Sequence, residues 1–295
     1  MSANVYINNT LKTLAESSEL EDVNEKVESI SPISEKFRKP FEIYMHQGLA
    51  SNSKHIPPNT VPAFLEALKA GFDGMETDCR KTSDGVWVLS HDATITGTVS
   101  GVSTTMTVSE STLAQLKTVL LGTSTDYGET YIATLQEVLQ IACYTGMKML
   151  LEHKGGSNPE GIAEVVMMTG MQGRVTYMAG HNYWTQIASV DRNASFAEVV
   201  FGCGTISDFS AYTPFLTGSN TISLDYQANA DNPNFVNIAN AQKAGLSIDY
   251  WNIGQSEHED CFDTNPRSIT VNDTSVFSYL KTYLEGKEDL LPGNS

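Results

Sequence analysis

Short apolar runs and segments of helical periodicity alternate along residues 41–284. One stretch, TVPAFLEALKAG, places Phe64, Leu65 and Leu68 at helical spacing and ends at Gly71, a residue type that commonly stops a helix. The runs between such segments are rich in β-branched and aromatic residues, as strands are. The candidate strands are FEIYMH, DGMETD, VWVLSH, KMLLEHK, RVTYMA, AEVVFG, TISLDY and LSIDYW. This alternation is typical of βα units around a parallel sheet.

The repeats predict an α/β fold, a (β/α)8 TIM barrel, over residues 41–295, since such a barrel takes about 250 residues. A nucleotide-binding open sheet has little support, because neither GxGxxG after the first strand nor GxxxxGK[ST] occurs. VWVLSH follows DGMETD after a tight turn, so it is either a barrel strand or a hairpin arm. In the second case, SITV near Ile269 has to close the barrel.

Residues 1–40 differ from the rest in being polar and acidic, and they predict a separate N-terminal helical arm. Leu20, Val23, Val27 and Ile30 recur at spacings of a short amphipathic helix. Two interpretations follow. The helix either packs across the bottom of the barrel, or forms a coiled coil that joins identical chains into a homo-oligomer or attaches them to a larger assembly.

Composition narrows the classes of partner. A formal net charge of −17 without a basic stripe argues against nucleic acid or an anionic membrane surface. No apolar run approaches the roughly 20 residues of a transmembrane segment, and the N-terminal residues lack the order of a secretory signal. A cytoplasmic enzyme and a component of an extracellular assembly such as a phage tail both stay open. The four cysteines are widely spaced without a CxxC pair, which favours reduced, buried thiols.

Polar residues end several candidate strands where apolar residues are usual. They are His46, Glu76, Asp78, His91, Glu152 and Lys154. Strand side chains alternate faces, so Glu76 and Asp78 point the same way. In a TIM barrel these ends meet at one mouth. Three carboxylates there repel one another unless a cation lies among them, and oxygen ligands favour Ca2+ or Mg2+ over Zn2+. The sequence therefore predicts a divalent-cation site at Glu76, Asp78 and Glu152, with an acid or base beside it.

Taken together, the motifs identify a family. The segments are MHQG, PPNTVPAFLEALKAGFDGMETDCRKTSDGVWVLSHD, IATLQEVL, LLEHK and AGLSIDYWNIG, which span most of the chain from Met45 to Ile253. The order ExD, DGxxVxxHD and ExK resembles the glycerophosphodiester phosphodiesterases, whose barrel and mechanism are shared with the phosphatidylinositol-specific phospholipases C. Any one of these motifs alone is weak, but their combination is specific.

The resemblance implies a role for each matching residue. It places the cation on Glu76, Asp78 and Glu152, and it makes His46 and His91 the acid–base pair. Which of the two is the base stays open in the sequence, and we assign His46 as the base and His91 as the acid. It also implies that Lys154 and Trp251 face the substrate. In this family the attacking group can be the substrate's own neighbouring hydroxyl, which gives a cyclic phosphate that water then opens.

Two positions depart from the family pattern. Gln47 stands where the family has an arginine, and the usual PENT motif lacks its glutamate at Pro58. Because an amide is a neutral donor and a guanidinium is a charged fork, phosphate binding through Gln47 is expected to be weaker or differently arranged. Tyr226, at the end of TISLDY, is predicted as a wall of the substrate pocket.

The function expected from this resemblance is metal-dependent hydrolysis of glycerol-phosphate diesters, either a small glycerophosphodiester or a teichoic-acid-like polymer. One alternative is a sphingomyelinase D-like phospholipase, which uses a related barrel and a similar histidine pair but needs an apolar rim that admits lipid. The other is a non-catalytic barrel that binds a phosphate-bearing polymer.

Overall fold

A computed structural model describes residues 4–7, 10–13, 41–155, 161–180, 198–203, 221–226, 242–243, 245–253 and 257–285 of the chain. The strands are β1 (Asn4–Ile7), β2 (Thr10–Thr13), β3 (Glu42–His46), β4 (Gly74–Lys81), β5 (Trp87–Leu89), β6 (Thr94–Val99), β7 (Val102–Thr107), β8 (Gly122–Ser124), β9 (Gly128–Thr130), β10 (Lys148–His153), β11 (Val175–Gly180), β12 (Glu198–Cys203), β13 (Thr221–Asp225), β14 (Ser247–Trp251) and β15 (Ser268–Val271). The described helices are α1 (Val61–Ala70), α2 (Leu113–Leu116), α3 (Leu135–Thr145), α4 (Ile162–Met168), α5 (His258–Asp263) and α6 (Ser275–Glu285).

Eight parallel strands close into a barrel. Their order is β3, β4, β10, β11, β12, β13, β14 and β15, and β15 pairs with β3 to complete the ring. The predicted TIM-barrel fold is confirmed. VWVLSH forms the hairpin arm, because β5 pairs antiparallel with β4, and SITV is the strand that closes the barrel.

The N-terminal residues contain an antiparallel hairpin, in which β1 pairs with β2. The helix predicted through Leu20, Val23, Val27 and Ile30 lies outside the described residues. The separate arm and the homo-oligomer it was expected to support stay predictions. None of the described helices is long and apolar enough to cross a bilayer.

Sequence features account for where the helices begin and end. Thr60 caps the first turn of α1 by accepting a hydrogen bond from the Ala63 amide, and the helix ends at Gly71 in a left-handed conformation with φ of 87°. Helix α3 starts with a capping box, in which Thr134 and Glu137 satisfy each other's backbone amides. The main apolar core lies between such helices and the outer faces of the strands.

The barrel interior is filled. Tyr44, Leu150 and Met178 form a small buried apolar cluster on the inward faces of three strands. Toward the N-terminal ends of the strands, the Tyr44 hydroxyl donates to Glu42 at 2.6 Å, and Glu42 also pairs with Lys148. This plug leaves the C-terminal ends of the strands as the open mouth of the barrel.

The segment between β5 and α3 carries two further hairpins, β6–β7 and β8–β9, and has an apolar core of its own. We call residues 90–134 the insertion. Its buried apolar residues pack against Val88 of β5, and they are Ile95, Val108, Leu116, Val119 and Ile132.

Gly74 begins β4 beneath the Tyr44 ring, where a Cβ atom would lie 2.5 Å from the Lys148 carbonyl oxygen and 2.6 Å from Tyr44 Cε1. We expect Gly74→Ala to lower the free energy of unfolding by about 1–3 kcal/mol, because the added methyl overpacks the plug. Urea unfolding measures this, with Gly173→Ala as the control, since nothing lies within 4 Å of a Cβ there. Equal midpoints for the two variants would contradict the prediction.

Candidate active site

Strand register builds the mouth of the barrel. His46 on β3 lies opposite Glu76 on β4, and Asp78 on β4 lies opposite Glu152 on β10. Partners in a parallel pair point to the same face and sit on strands about 4.8 Å apart. Alternation along β4 keeps Glu76 and Asp78 on that same face. Register and alternation alone therefore bring four polar side chains together.

Glu76, Asp78 and Glu152 form what we call the acid cluster. Each offers a carboxylate oxygen, and these oxygens lie within 4.8 Å of one another. Glu76 and Asp78 are buried, with 3% and 1% of their surface exposed. Burial raises the pKa of Glu76 well above its usual value, and the charges of Asp78 and Glu152 add to the rise. Because burial of the Glu76 carboxylate charge is unfavourable, a positively charged partner is expected beside it.

The acid cluster fits a hard divalent cation. Glu76 Oε1 is buried and has no hydrogen-bond partner among the described residues, while Oε2 accepts from the Gln47 amide at 3.2 Å. An unsatisfied buried carboxylate oxygen is rare unless an ion or water completes it. The possible ligand atoms are all oxygens, which suits Ca2+ or Mg2+ better than a metal that prefers thiolate ligands.

Lys154 lies at the edge of the acid cluster and supplies positive charge from within the chain. Its Nζ is 2.7 Å from Glu152 Oε1 and 3.3 Å from Asp78 Oδ1. Burial lowers the pKa of this ammonium, but the Glu152 and Asp78 carboxylates outweigh that effect and raise it above its usual value. The ammonium therefore stays charged and offsets part of the repulsion.

Two amide side chains hold Asp78 from the other side. Gln47 Nε2 donates to Asp78 Oδ2 at 2.8 Å, and Asn59 Nδ2 donates to the same oxygen at 2.9 Å. Asn59 Oδ1 in turn accepts from the Asp78 backbone amide at 3.2 Å and from the Thr77 hydroxyl at 2.5 Å. Asp78 is thereby fixed in one orientation.

His46 is exposed at the end of β3, and its two ring nitrogens face different partners. Nδ1 lies 2.9 Å from Oδ1 of Asn272, the residue that follows β15. Nε2 lies 3.8 Å from Glu76 Oε2. Because an amide oxygen only accepts hydrogen bonds, this contact assigns the proton to Nδ1 and leaves Nε2 facing the acid cluster.

His91 follows β5 on the exposed side of the mouth. Its Nδ1 lies 2.9 Å from Oδ1 of Asp92. Its backbone carbonyl accepts two hydrogen bonds from Arg80 on β4, at 3.0 Å from Nε and 2.6 Å from Nη2. The guanidinium fork therefore ties the segment that carries His91 to the strand that carries Glu76 and Asp78.

Two aromatic residues behave differently at the ends of β13 and β14. Trp251 is 39% exposed, and its strand pairs it with Asp225. Tyr226 is 2% exposed, and its ring packs edge-on against buried Tyr250 at 5.2 Å. Tyr226 follows the last residue of β13 and packs in the main apolar core. The pocket-wall role predicted for it stays a prediction.

The family model of the glycerophosphoryl diester phosphodiesterases matches residues 46–197, which include the acid cluster and both histidines. The chain belongs to this family. A glycerophosphodiester phosphodiesterase of Caldanaerobacter subterraneus subsp. tengcongensis is 24% identical over 231 residues, which cover 73% of this chain and 86% of that protein.

Solved structures share the fold of this phosphodiesterase family member. A glycerophosphodiester phosphodiesterase from Agrobacterium tumefaciens superposes with a TM-score of 0.64 at 19% identity, covering 81% of this chain and 99% of that one. A phosphodiesterase from Oleispira antarctica, in complex with the product sn-glycerol-3-phosphate, has a TM-score of 0.61 at 15% identity, with coverage of 83% and 96%. The predicted family and its enzyme class, a phosphoric diester hydrolase, are confirmed.

The structure brings most of the predicted site residues of this phosphodiesterase to one mouth. His46, Gln47, Lys154 and the three members of the acid cluster lie within one network of contacts. His91 is tied to β4 through Arg80, whereas Trp251 lies across the mouth at the end of β14. The catalytic, substrate-binding and metal-binding roles of these residues stay predictions.

Sequence reasoning missed the residues that orient the site. These are Asn59, Arg80, Asp92 and Asn272. Asp92 stands inside the HD motif and Arg80 continues the inward face of Glu76 and Asp78, so period-two counting along β4 points to it. Asn272 was missed because SITV, the strand before it, was predicted as a barrel strand only in the case that VWVLSH forms a hairpin arm.

Lys154→Met tests the electrostatics of the mouth. In chelator, we expect the free energy of unfolding to fall by about 1–2 kcal/mol, less than for a fully buried pair, because the site is partly open to solvent. Excess CaCl2 should reverse most of that loss, since a bound cation supplies the missing charge.

Thermal unfolding with and without CaCl2 measures the effect. The control is Lys81→Met at the end of β4, whose ammonium lies over the Trp87 ring at 5.5 Å. Its loss should not depend on calcium. A Lys154→Met deficit that calcium leaves unchanged would count against the prediction.

Proposed function

We propose that this chain is a metal-dependent phosphodiesterase that hydrolyses glycerol-phosphate diesters by general acid and base catalysis with His46 and His91. Glu76, Asp78 and Glu152 bind a divalent cation, Ca2+ or Mg2+. Lys154 and Trp251 face the substrate. The observation that carries the proposal is the buried Glu76 oxygen that has no partner among the described residues, inside a three-carboxylate cluster that His46 borders.

The bound cation supplies Lewis-acid stabilisation of negative charge on the phosphate. His46 is suited to act as the base, because Asn272 holds Nδ1 and leaves the lone pair of Nε2 directed toward the mouth. It removes the proton of the attacking hydroxyl, which is either the substrate's neighbouring hydroxyl or water. In the first case a cyclic phosphate forms, and water opens it in a second step.

His91 donates the proton to the leaving oxygen. Asp92 is its partner at Nδ1, so Nε2 is the nitrogen left for the substrate. The Arg80 fork holds the His91 carbonyl and thereby fixes the backbone that carries the ring. Lys154 contributes a fixed positive charge beside the carboxylates, where negative charge on the phosphate develops in the transition state.

A glycerol-phosphate diester is the substrate class that the comparisons favour. The Oleispira antarctica relative holds sn-glycerol-3-phosphate as its product. A small glycerophosphodiester and a glycerol-phosphate polymer present the same bond to the mouth. Incubation with glycerophosphocholine and with a glycerol-phosphate polymer, followed by assay of glycerol phosphate, separates them.

The sphingomyelinase D-like alternative has less support. A lipid substrate needs an apolar rim around the mouth. Within the described ranges, the exposed large apolar side chains are Val102, Tyr144, Met167, Met168 and Trp251. Of these, only Trp251 ends a barrel strand. The non-catalytic alternative is separated by the histidine variant below.

Glu76→Gln tests the cation. We expect the variant to lose binding of both Ca2+ and Mg2+ in calorimetric titration, because a charged ligand is replaced by an amide within a site of three carboxylates. Turnover of glycerophosphocholine should fall with it. Glu129→Gln on the exposed β9 strand is the control. Equal titration curves for wild type and Glu76→Gln would remove the metal from the proposal.

His91→Ala tests catalysis against mere binding. We expect kcat on glycerophosphocholine to fall by about 10²- to 10⁴-fold while KM changes little, because an acid-base group acts mainly in the transition state. His55→Asn, in an exposed loop, is the control and should keep wild-type rates. If wild type turns over none of the glycerol-phosphate diesters, or His91→Ala matches it, the barrel binds phosphate without catalysis through His91.

A further inference from the structure

Gln47 contacts two members of the acid cluster and the residue that braces one of them. Its backbone amide donates to Glu76 Oε2 at 3.2 Å, and its side-chain Nε2 donates to Asp78 Oδ2 at 2.8 Å. Its carbonyl accepts from the Asn59 amide at 2.8 Å. The Gln47 side-chain amide therefore contacts a carboxylate, whereas the family arginine is expected to contact the phosphate.

The two oxygens of Asp78 have different surroundings. Oδ2 accepts from Gln47 Nε2 and from Asn59 Nδ2, which occupies its two lone pairs. Oδ1 accepts no amide hydrogen bond from the part of the chain that the structure describes, and it lies 3.3 Å from Lys154 Nζ. The Asp78 carboxylate thus offers one oxygen, Oδ1, toward Glu152 and Lys154.

Backbone conformation gives independent support for this arrangement. Gln47 has φ of 56° and Asn59 has φ of 57°, both in the left-handed region that residues other than glycine seldom adopt. Each such conformation is unfavourable by itself and persists where the surroundings over-determine it. The two side chains that converge on Asp78 Oδ2 are carried by these two residues.

We propose that Gln47 is a positioning residue for the cation site. Together with Asn59 it holds Asp78 so that Oδ1 is the oxygen left to bind a cation. This inference rests on the proposed metal site. The amide is neutral, so it orients the carboxylate without competing for its charge. A guanidinium at this position would form a charged pair with Asp78 and weaken its attraction for a cation. Gln47 thus acts on the metal and not on the phosphate.

The test is calorimetric titration of the full chain with CaCl2 in the absence of substrate. Gln47→Met keeps the length of the side chain and removes both polar atoms. We expect its calcium Kd to rise by about 10- to 100-fold, the usual effect of removing a group that orients a metal ligand. Gln47→Arg should also raise the Kd. Gln136→Met, on the exposed face of α3, is the matched control and should bind as wild type does.

A second titration, of glycerol 3-phosphate into calcium-saturated protein, separates the two roles of Gln47. A positioning residue predicts a Kd for glycerol 3-phosphate that Gln47→Met leaves within about twofold of wild type once calcium is saturating. Unchanged calcium binding with weakened glycerol 3-phosphate binding would overturn the inference and return Gln47 to the phosphate. Thermal unfolding in chelator checks that each variant is folded.

The outcomes also separate this inference from the proposed function. If the wild type binds no divalent cation, the metal part of the proposed function fails first, and the role of Gln47 falls with it. If the wild type binds calcium and both Gln47 variants bind it equally well, the metal site stands and only the positioning role is wrong.

Discussion

Repulsion among three carboxylates held within 4.8 Å of one another is the constraint on which the rest of the mouth depends. Two of them are buried, so water cannot screen them as it screens surface charges. Several neighbouring groups either offset this repulsion or hold the carboxylates in place against it. Lys154 contributes charge, Gln47 and Asn59 contribute neutral donors, and the register of β4 and β10 prevents the carboxylates from separating.

The stability of the barrel offsets the repulsion within such a cluster. Its strands are fixed by pairing on both sides, and an apolar plug of Tyr44, Leu150 and Met178 lies directly beneath the mouth. Left-handed backbone at Gln47 and Asn59 adds local strain to the electrostatic cost. The electrostatic cost and the backbone strain both arise at the open end of the strands. They are small compared with the stability that the main apolar core supplies.

The fold followed from the sequence because its signals are local and repeated. Period-two alternation along DGMETD placed Glu76 and Asp78 on one face, and Gly71 ended its helix as predicted. Long-range contacts could not be obtained this way. Asn272 reaches His46 across 226 positions of sequence, and no pattern within either segment encodes that pair. The packing of Tyr226 against Tyr250 in the main core could not be predicted either, because an aromatic residue at a strand end is compatible with both the core and a pocket wall.

The two histidines are held by different parts of the structure, because His46 ends a barrel strand and His91 leads into the insertion. His46 ends a strand paired on both sides within the barrel. His91 instead follows β5, which pairs with β4 at three positions, and leads into the insertion, which has its own apolar core; the Arg80 fork also ties His91 to β4. A segment with a separate core can open without unfolding its neighbour. Amide hydrogen exchange would then report two cooperative units at one barrel mouth. Sequence changes in the insertion can therefore alter the surroundings of His91 while the acid cluster stays unchanged.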